Sequence, residues 1–315
     1  MAFSINEETG LFPVIRLQNN ETGTSAEIYS RGALLNAFTI NGQEEPCNVI
    51  DGFASPQDAI DNITAGFKSA RLSPFVCRIT EGRYTFRQQS YLINKFFLGT
   101  EAIHGLMFDA QFTVTSKWAG ENEAFVTLEF DYEKDDEGYP FTFHSKITYT
   151  LSKNNRLSIS SEITNTGKSD MPLTDGWHPY FTLGGSINDL ELQINADKML
   201  AFDERLVPTG KTLENRSFSQ PAIVGDTFLD NCFVLKDENK PACILKNNAT
   251  GLQLTITPEE NYPYLQVYTP PHRRSIAIEN ISGAPDAFNN SIGLIIAKPG
   301  ELYTFATVYT LHLSR

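Results

Sequence analysis

The chain has 315 residues, with 25 Lys or Arg against 38 Asp or Glu for a formal charge of −13, and 41% of it is hydrophobic, including 22 Phe and 12 Tyr. That charge opposes docking on nucleic-acid phosphates or anionic lipid, and so apolar and aromatic a chain is not disordered. No run approaches the roughly 18 apolar residues of a membrane span, and the N-terminal MAFSINEETG has neither a basic nor an apolar leader segment, so a globular protein of the cytoplasm is expected.

In chain order, the first predicted element is a short helix near Ser55 to Asp61, because Ser55-Pro56 sets an N-capping hydroxyl before a proline at the first helical position. Elsewhere the apolar residues recur at every second position, the period of strands with one buried face. Val126, Leu128, Phe130 and Tyr132 share a face, followed by Ile147, Tyr149 and Leu151 and, after the turn Lys153-Asn154-Asn155, by Leu157, Ile159 and Ile163. This spacing predicts a β-meander. The alternation returns in Leu190, Leu192 and Ile194, in Leu252, Leu254 and Ile256, and in Ile276 and Ile278. No long helical stripe competes, and no linker, charge block or repeat divides the chain, so the expected fold is all-β, one large antiparallel β-sandwich over 1–315. Cys47, Cys77, Cys232 and Cys243 are far apart, with neither a CxxC pair nor a close His, and predict no zinc site and no disulfide framework.

Six polar residues stand out against this apolar pattern. Arg78 interrupts the extended run Ser73-Pro74-Phe75-Val76-Cys77-Arg78-Ile79, and its fork can hold two sugar hydroxyls or a carboxylate, or lie exposed on an edge strand. His104 precedes Gly105, which admits a ligand or a tight turn. His178 sits among Trp177, Tyr180 and Phe181 with Pro179 fixing its direction, a setting for a proton donor whose aromatic faces suit a sugar. In Ser275-Ile276-Ala277-Ile278-Glu279-Asn280 the period of two puts Glu279 on a face kept small by Ser275 and Ala277, so it reads as a base at a strand end or as a surface carboxylate. Gln266, with Tyr264 and Tyr268, lies on the polar face of its strand, which reads as a hydrogen-bonding surface for a ligand or equally as a solvated face. Asp230 reads as an acceptor for hydroxyls or, more simply, as the first residue of an Asx-turn. The usual signals of nucleotide, serine-hydrolase and zincin chemistry are missing.

Taken in order, PFVCRI with Gly82, His104-Gly105, His178-Pro179-Tyr180-Phe181, DERLVPTG from Asp203, FLDNCF from Phe228, LQVYT from Leu265 and AIENISGAPDAFN from Ala277 resemble the aldose 1-epimerase (galactose mutarotase) family. The resemblance implies a β-sandwich whose concave face holds a sugar, with Glu279 as general base, His178 as general acid, and Arg78, His104, Asp230 and Gln266 binding the substrate. It implies a small-molecule sugar substrate, with no metal and no redox cofactor. Cys77 stands where members acting on free galactose often carry Asn, and Leu106 where many carry a second Gly, so the expectation is an aldose rather than galactose in particular.

Three alternatives compete with that reading. A hexose-6-phosphate 1-epimerase would need a basic pocket, for which Lys68 and Arg71 are candidates, although both read more simply as solvated. A noncatalytic sugar-binding sandwich has no reason to keep both an acid and a base. A glycoside hydrolase would use two carboxylates, Asp230 and Glu279, and leaves His178 without a role.

Overall fold

The computed structural model describes residues 1–42, 45–236 and 240–314. Along Thr142–Ser152 and Arg156–Asn165 every second side chain is buried, and these two strands pair antiparallel with Tyr149 opposite Ile159 and Leu151 opposite Leu157. The turn between them holds Asn154 and Asn155 at φ 61° and 54°, a left-handed conformation that Asn tolerates better than most residues. The predicted meander is therefore present, with the predicted faces buried.

Among the described residues this pair is part of a nine-stranded antiparallel sheet. It runs in the order Thr113–Ala119, Glu123–Glu133, Thr142–Ser152, Arg156–Asn165, Leu302–Leu313, Leu252–Glu260, Cys243–Lys246, Glu191–Ile194 and Ala222–Ile223. A second, six-stranded sheet runs Tyr180–Phe181, Ile276–Ile281, Tyr264–Tyr268, Asp230–Val234, Lys198–Phe202 and Pro208–Glu214. The first 48 residues add a five-stranded sheet, Phe3–Glu8 through Pro46–Asn48. The large sheets share one apolar core, to which Phe181, Leu265, Val267, Ile276 and Ile278 of one and Ile159, Leu254, Ile256, Phe305 and Tyr309 of the other contribute. Phe181 meets Tyr309 edge-on at 5.3 Å between ring centres. This is the antiparallel β-sandwich expected from the alternation.

The predicted helix is Pro56–Asn62, capped by Ser55, whose Oγ accepts the Asp58 N–H at 3.1 Å. It runs into the single turn Ile63–Ala65, which brings Gly66 and Phe67 to the rim of the site described below.

Arg71 is not solvated. Its side chain is 0% exposed and its guanidinium pairs with the equally buried Asp175 at 2.5 Å, stacks over Trp177 at 4.1 Å and donates to Ser161. Asp175 also accepts the Tyr262 hydroxyl at 2.7 Å. An arginine buried so deeply requires a carboxylate, and Asp175, more than a hundred positions away in sequence, supplies it. The pair ties the strand Ala70–Arg71 to Trp177–His178, with Trp177 opposite Arg71 and His178 opposite Ala70. Arg71 is thus structural and is lost to any phosphate pocket.

Candidate active site

Period-two alternation sorts the segment 177–181 between the sandwich core and the opposite face. Trp177 and Phe181 point inward, to Tyr149 and to Tyr309. His178 and Tyr180 point outward into a cavity of about 440 Å³, their rings 5.1 Å apart. Sequence proximity suggested that all three aromatics surround His178; the strand geometry leaves it only Tyr180, with His104 at 4.8 Å arriving from another loop.

The register of the six-stranded sheet builds the floor. Tyr180 lies opposite Ala277, Ala277 opposite Tyr268, and Tyr268 opposite Asp230, making one row across four strands. In the adjoining row Glu279 lies opposite Gln266 and Gln266 opposite Cys232. Ala277 puts a small side chain between the two tyrosines. Glu279 is not at a strand end: it lies within Ile276–Ile281 and is 2% exposed.

The opposite wall comes from the segment 64–67 and the small strands Arg78–Ile79 and Glu101–Ile103, paired with Ile103 opposite Arg78. His104 follows directly and packs against Phe67 at 4.6 Å. Gly105 serves the backbone rather than a ligand. At φ 75° a side chain there would be strained, and its Cβ would lie 2.4 Å from the Ser73 carbonyl oxygen. The close approach lets Leu106 N–H donate to that carbonyl at 2.9 Å and fixes where His104 projects.

All six predicted site residues, Arg78, His104, His178, Asp230, Gln266 and Glu279, line this one cavity. His178 Nε2 and Glu279 Oε1 are 3.4 Å apart. Gln266 donates from Nε2 to Asp230 Oδ1 at 2.8 Å, and Asp230 begins a strand instead of an Asx-turn because that bond and the ladder to Tyr268 claim it. Arg78 is half-buried and donates one bond, to the Arg205 carbonyl at 2.9 Å. Buried polar atoms are normally hydrogen-bonded. Here Arg78 Nε, His104 Nδ1, His178 Nδ1, Gln266 Oε1 and Glu279 Oε2 have no hydrogen-bond partner among the described residues. Such a cluster of unused donors and acceptors around one cavity marks a place for a polar ligand.

Sequence reasoning gave no role to the loop 203–206, although it falls within the DERLVPTG motif. Arg205 is clamped to Glu101 at 2.5 Å and to Glu81 at 3.3 Å, so its carbonyl is held against Arg78 and Leu206, at φ 59°, is pushed into the cavity. These contacts span more than a hundred residues of sequence, and no local pattern announces them.

Burial governs the titration of the pair. Desolvation raises the Glu279 carboxyl well above the usual carboxylate range, with the Asp230 charge adding to it. Desolvation also lowers the His178 imidazole to about 4, and lowers His104 well below the ordinary histidine value, the latter helped by His178 and Arg78. Asp230 is itself raised by burial, against the pull of Arg78 and the Gln266 hydrogen bond. Both members of the close pair are thus pushed toward their neutral forms, carboxylic acid and imidazole. An imidazolium in the empty site, the simplest expectation for an acid, is not what this environment favours.

The profile of the aldose 1-epimerase family matches residues 13–310. The chain belongs to that family. It is 27% identical to the aldose 1-epimerase of Escherichia coli over 297 residues, covering 84% of this chain and 82% of that one. It is 23% identical to the galactose mutarotase of Sus scrofa, covering 97% and 96%. Among solved structures, a galactose mutarotase-like protein from Clostridium acetobutylicum superposes with a TM-score of 0.85 at 20% identity, covering 100% of this chain and 99% of that one. The galactose 1-epimerase of Lactobacillus acidophilus gives 0.83 at 20% identity, covering 99% of each. At such identities the structures speak for the fold, the galactose-mutarotase supersandwich, and family membership makes the protein a sugar epimerase of that superfamily.

Proposed function

We propose that this protein interconverts the α and β anomers of a reducing aldohexose, with Glu279 as general base and His178 as general acid. The observation that carries the reading is the buried Glu279–His178 pair, 3.4 Å apart on the floor of a cavity ringed by unpartnered polar atoms.

Entry of a sugar gives this pair hydroxyl and ring-oxygen partners, and transfer of a proton from the Glu279 carboxyl to His178 produces carboxylate and imidazolium without any exchange with solvent. Glu279 takes the proton from the anomeric hydroxyl as the C1–O1 bond becomes a carbonyl. The C1–O5 bond breaks, and O5 receives the His178 proton. Rotation about C1–C2 turns the other face of the aldehyde to O5. The roles then reverse: O5 returns its proton to His178 and attacks C1, and Glu279 protonates the new alkoxide as it forms. Arg78, His104, Asp230 and Gln266 hold the ring hydroxyls, with Tyr180 and Tyr268 against its C–H faces. His178 lends its proton to O5 and recovers it, and Glu279 returns to O1 the proton it took, so the cycle consumes nothing.

Polarimetry tests the reading. Fresh α-anomers of glucose, galactose and other aldoses are followed to equilibrium with and without protein. Acceleration of at least one aldose above the buffer rate is expected, and the uncatalysed rate for every sugar tried would refute it.

A further inference from the structure

A second cavity, of about 580 Å³, adjoins the first and shares Ala65, Gly66, Tyr180 and Tyr268 with it. Its lining also holds Lys68, His272 and Arg274, with Asp51 as the one carboxylate among the described lining residues. We propose that this cavity receives an anionic group, a carboxylate or phosphate, carried by a sugar whose anomeric carbon lies against the Glu279–His178 pair. The inference rests on the epimerase reading and names its substrate class.

The hydrogen-bonding state of the lining is the reason. Asp51 is already engaged: the Lys68 ammonium lies 2.6 Å from one oxygen, and the Ser275 hydroxyl donates to the other at 2.7 Å. The segment 270–274 divides its two arginines between structure and solvent. Arg273 is spent holding the loop, donating to Asn188 Oδ1 at 2.7 Å and to the carbonyls of Thr227 and Gly225 at 3.0 and 2.6 Å. Arg274 lines the cavity, exposed, and its guanidinium has no partner among the described residues. Its backbone N–H donates to His272 Nδ1 at 3.1 Å. An Nδ1 that accepts puts the proton of a neutral imidazole on Nε2, so His272 is a further donor.

Ammonium, guanidinium and imidazole N–H thus stand around a space whose carboxylate is already satisfied, in a chain of net charge −13. A neutral second sugar ring needs acceptors as well as donors, and the charged side chains of this lining offer mainly donors. A planar carboxylate or a phosphate accepts from all three, and Arg274 has the fork for either. The shared tyrosines make the passage, so the ring and its charged substituent occupy the two cavities at once.

The experiment compares glucose, glucuronate, glucose 6-phosphate and maltose on the parent and on Arg274→Ala and Arg274→Glu. Anomer exchange is followed by NMR, and affinity by calorimetry on the Glu279→Gln background. The expected result is a higher kcat/KM for at least one of the two anionic sugars than for glucose, falling about tenfold in Arg274→Ala, further in Arg274→Glu, and less steeply in added salt. Glucose should change less than twofold. The arm that responds, glucuronate or phosphate, identifies the anion. Equal losses for glucose and the anionic sugars, no loss for either, or a preference for maltose untouched by Arg274→Ala would overturn the proposal. Affinity separates its failure from that of the epimerase reading. An Arg274-dependent gain in binding of an anionic sugar supports the subsite even where no sugar is turned over.

Discussion

Replacing Glu279 by Gln keeps the shape of the side chain and its ability to hydrogen-bond the anomeric hydroxyl while removing the base. Loss of a positioned general base costs on the order of a hundredfold or more, so kcat should fall by at least that while sugar affinity changes little. The structure adds a thermodynamic signature. In the folded protein burial keeps the Glu279 carboxyl protonated well above the usual range, whereas in the unfolded chain it ionises near its ordinary value. Above that ordinary value the folded state therefore binds the extra proton. Stability contributed by this proton is complete at low pH and is lost as pH rises toward the folded pKa. The loss is about 1.4 kcal/mol for every pH unit over which the buried carboxyl stays protonated. Gln cannot ionise and does not share this slope. Urea unfolding of parent and variant at pH 5.5, 6.5 and 7.5 should show Glu279→Gln gaining stability over the parent as pH rises, in step with its loss of turnover. A constant stability difference across that range would refute the buried, protonated carboxyl, and a variant retaining more than a tenth of parental kcat would refute the base.

His178 has the opposite linkage. Its folded pKa of about 4 lies below its unfolded value, so the unfolded chain takes up a proton as pH falls from 6.5 and the parent loses stability. His178→Asn should gain about 1 kcal/mol on the parent between pH 7.5 and 5.5, read from urea midpoints, while binding sugar normally and losing most of its kcat. Arg71→Met strands the buried Asp175 carboxylate and should cost about 3–5 kcal/mol, whereas the double variant Arg71→Met/Asp175→Leu should recover much of it in the same unfolding assay. A single variant as stable as the double would refute the buried ion pair. Glu101→Gln loosens the Arg205 clamp and with it the carbonyl that holds Arg78, so KM should rise a few-fold with kcat unchanged in saturation polarimetry. Raising the ionic strength should bring the parent's KM toward the variant's.

The alternation of apolar residues was enough to give the all-β class, the meander and the face each side chain takes, because successive side chains of a strand point to opposite faces of the sheet. The capped helix was equally local: a hydroxyl and a proline in consecutive positions decide it. The six site residues stood out singly as polar residues among apolar neighbours, and it was the family resemblance that joined them into one site; for Glu279 the alternation that buries Ile276 and Ile278 sends it, with Ala277, to the other face. Only the tertiary structure decided what each interruption means. Arg71 and Arg78 look alike in sequence, seven positions apart in an apolar stretch, yet one finds Asp175 and is sealed in the core while the other keeps an unused Nε at the cavity wall. Arg273 and Arg274 are adjacent, and one is consumed by a loop while the other faces a cavity. The protonation of Glu279 and His178 likewise depends on water excluded by strands distant in sequence. Local pattern determines which face a residue takes; burial and partnership depend on what the rest of the chain brings to that face.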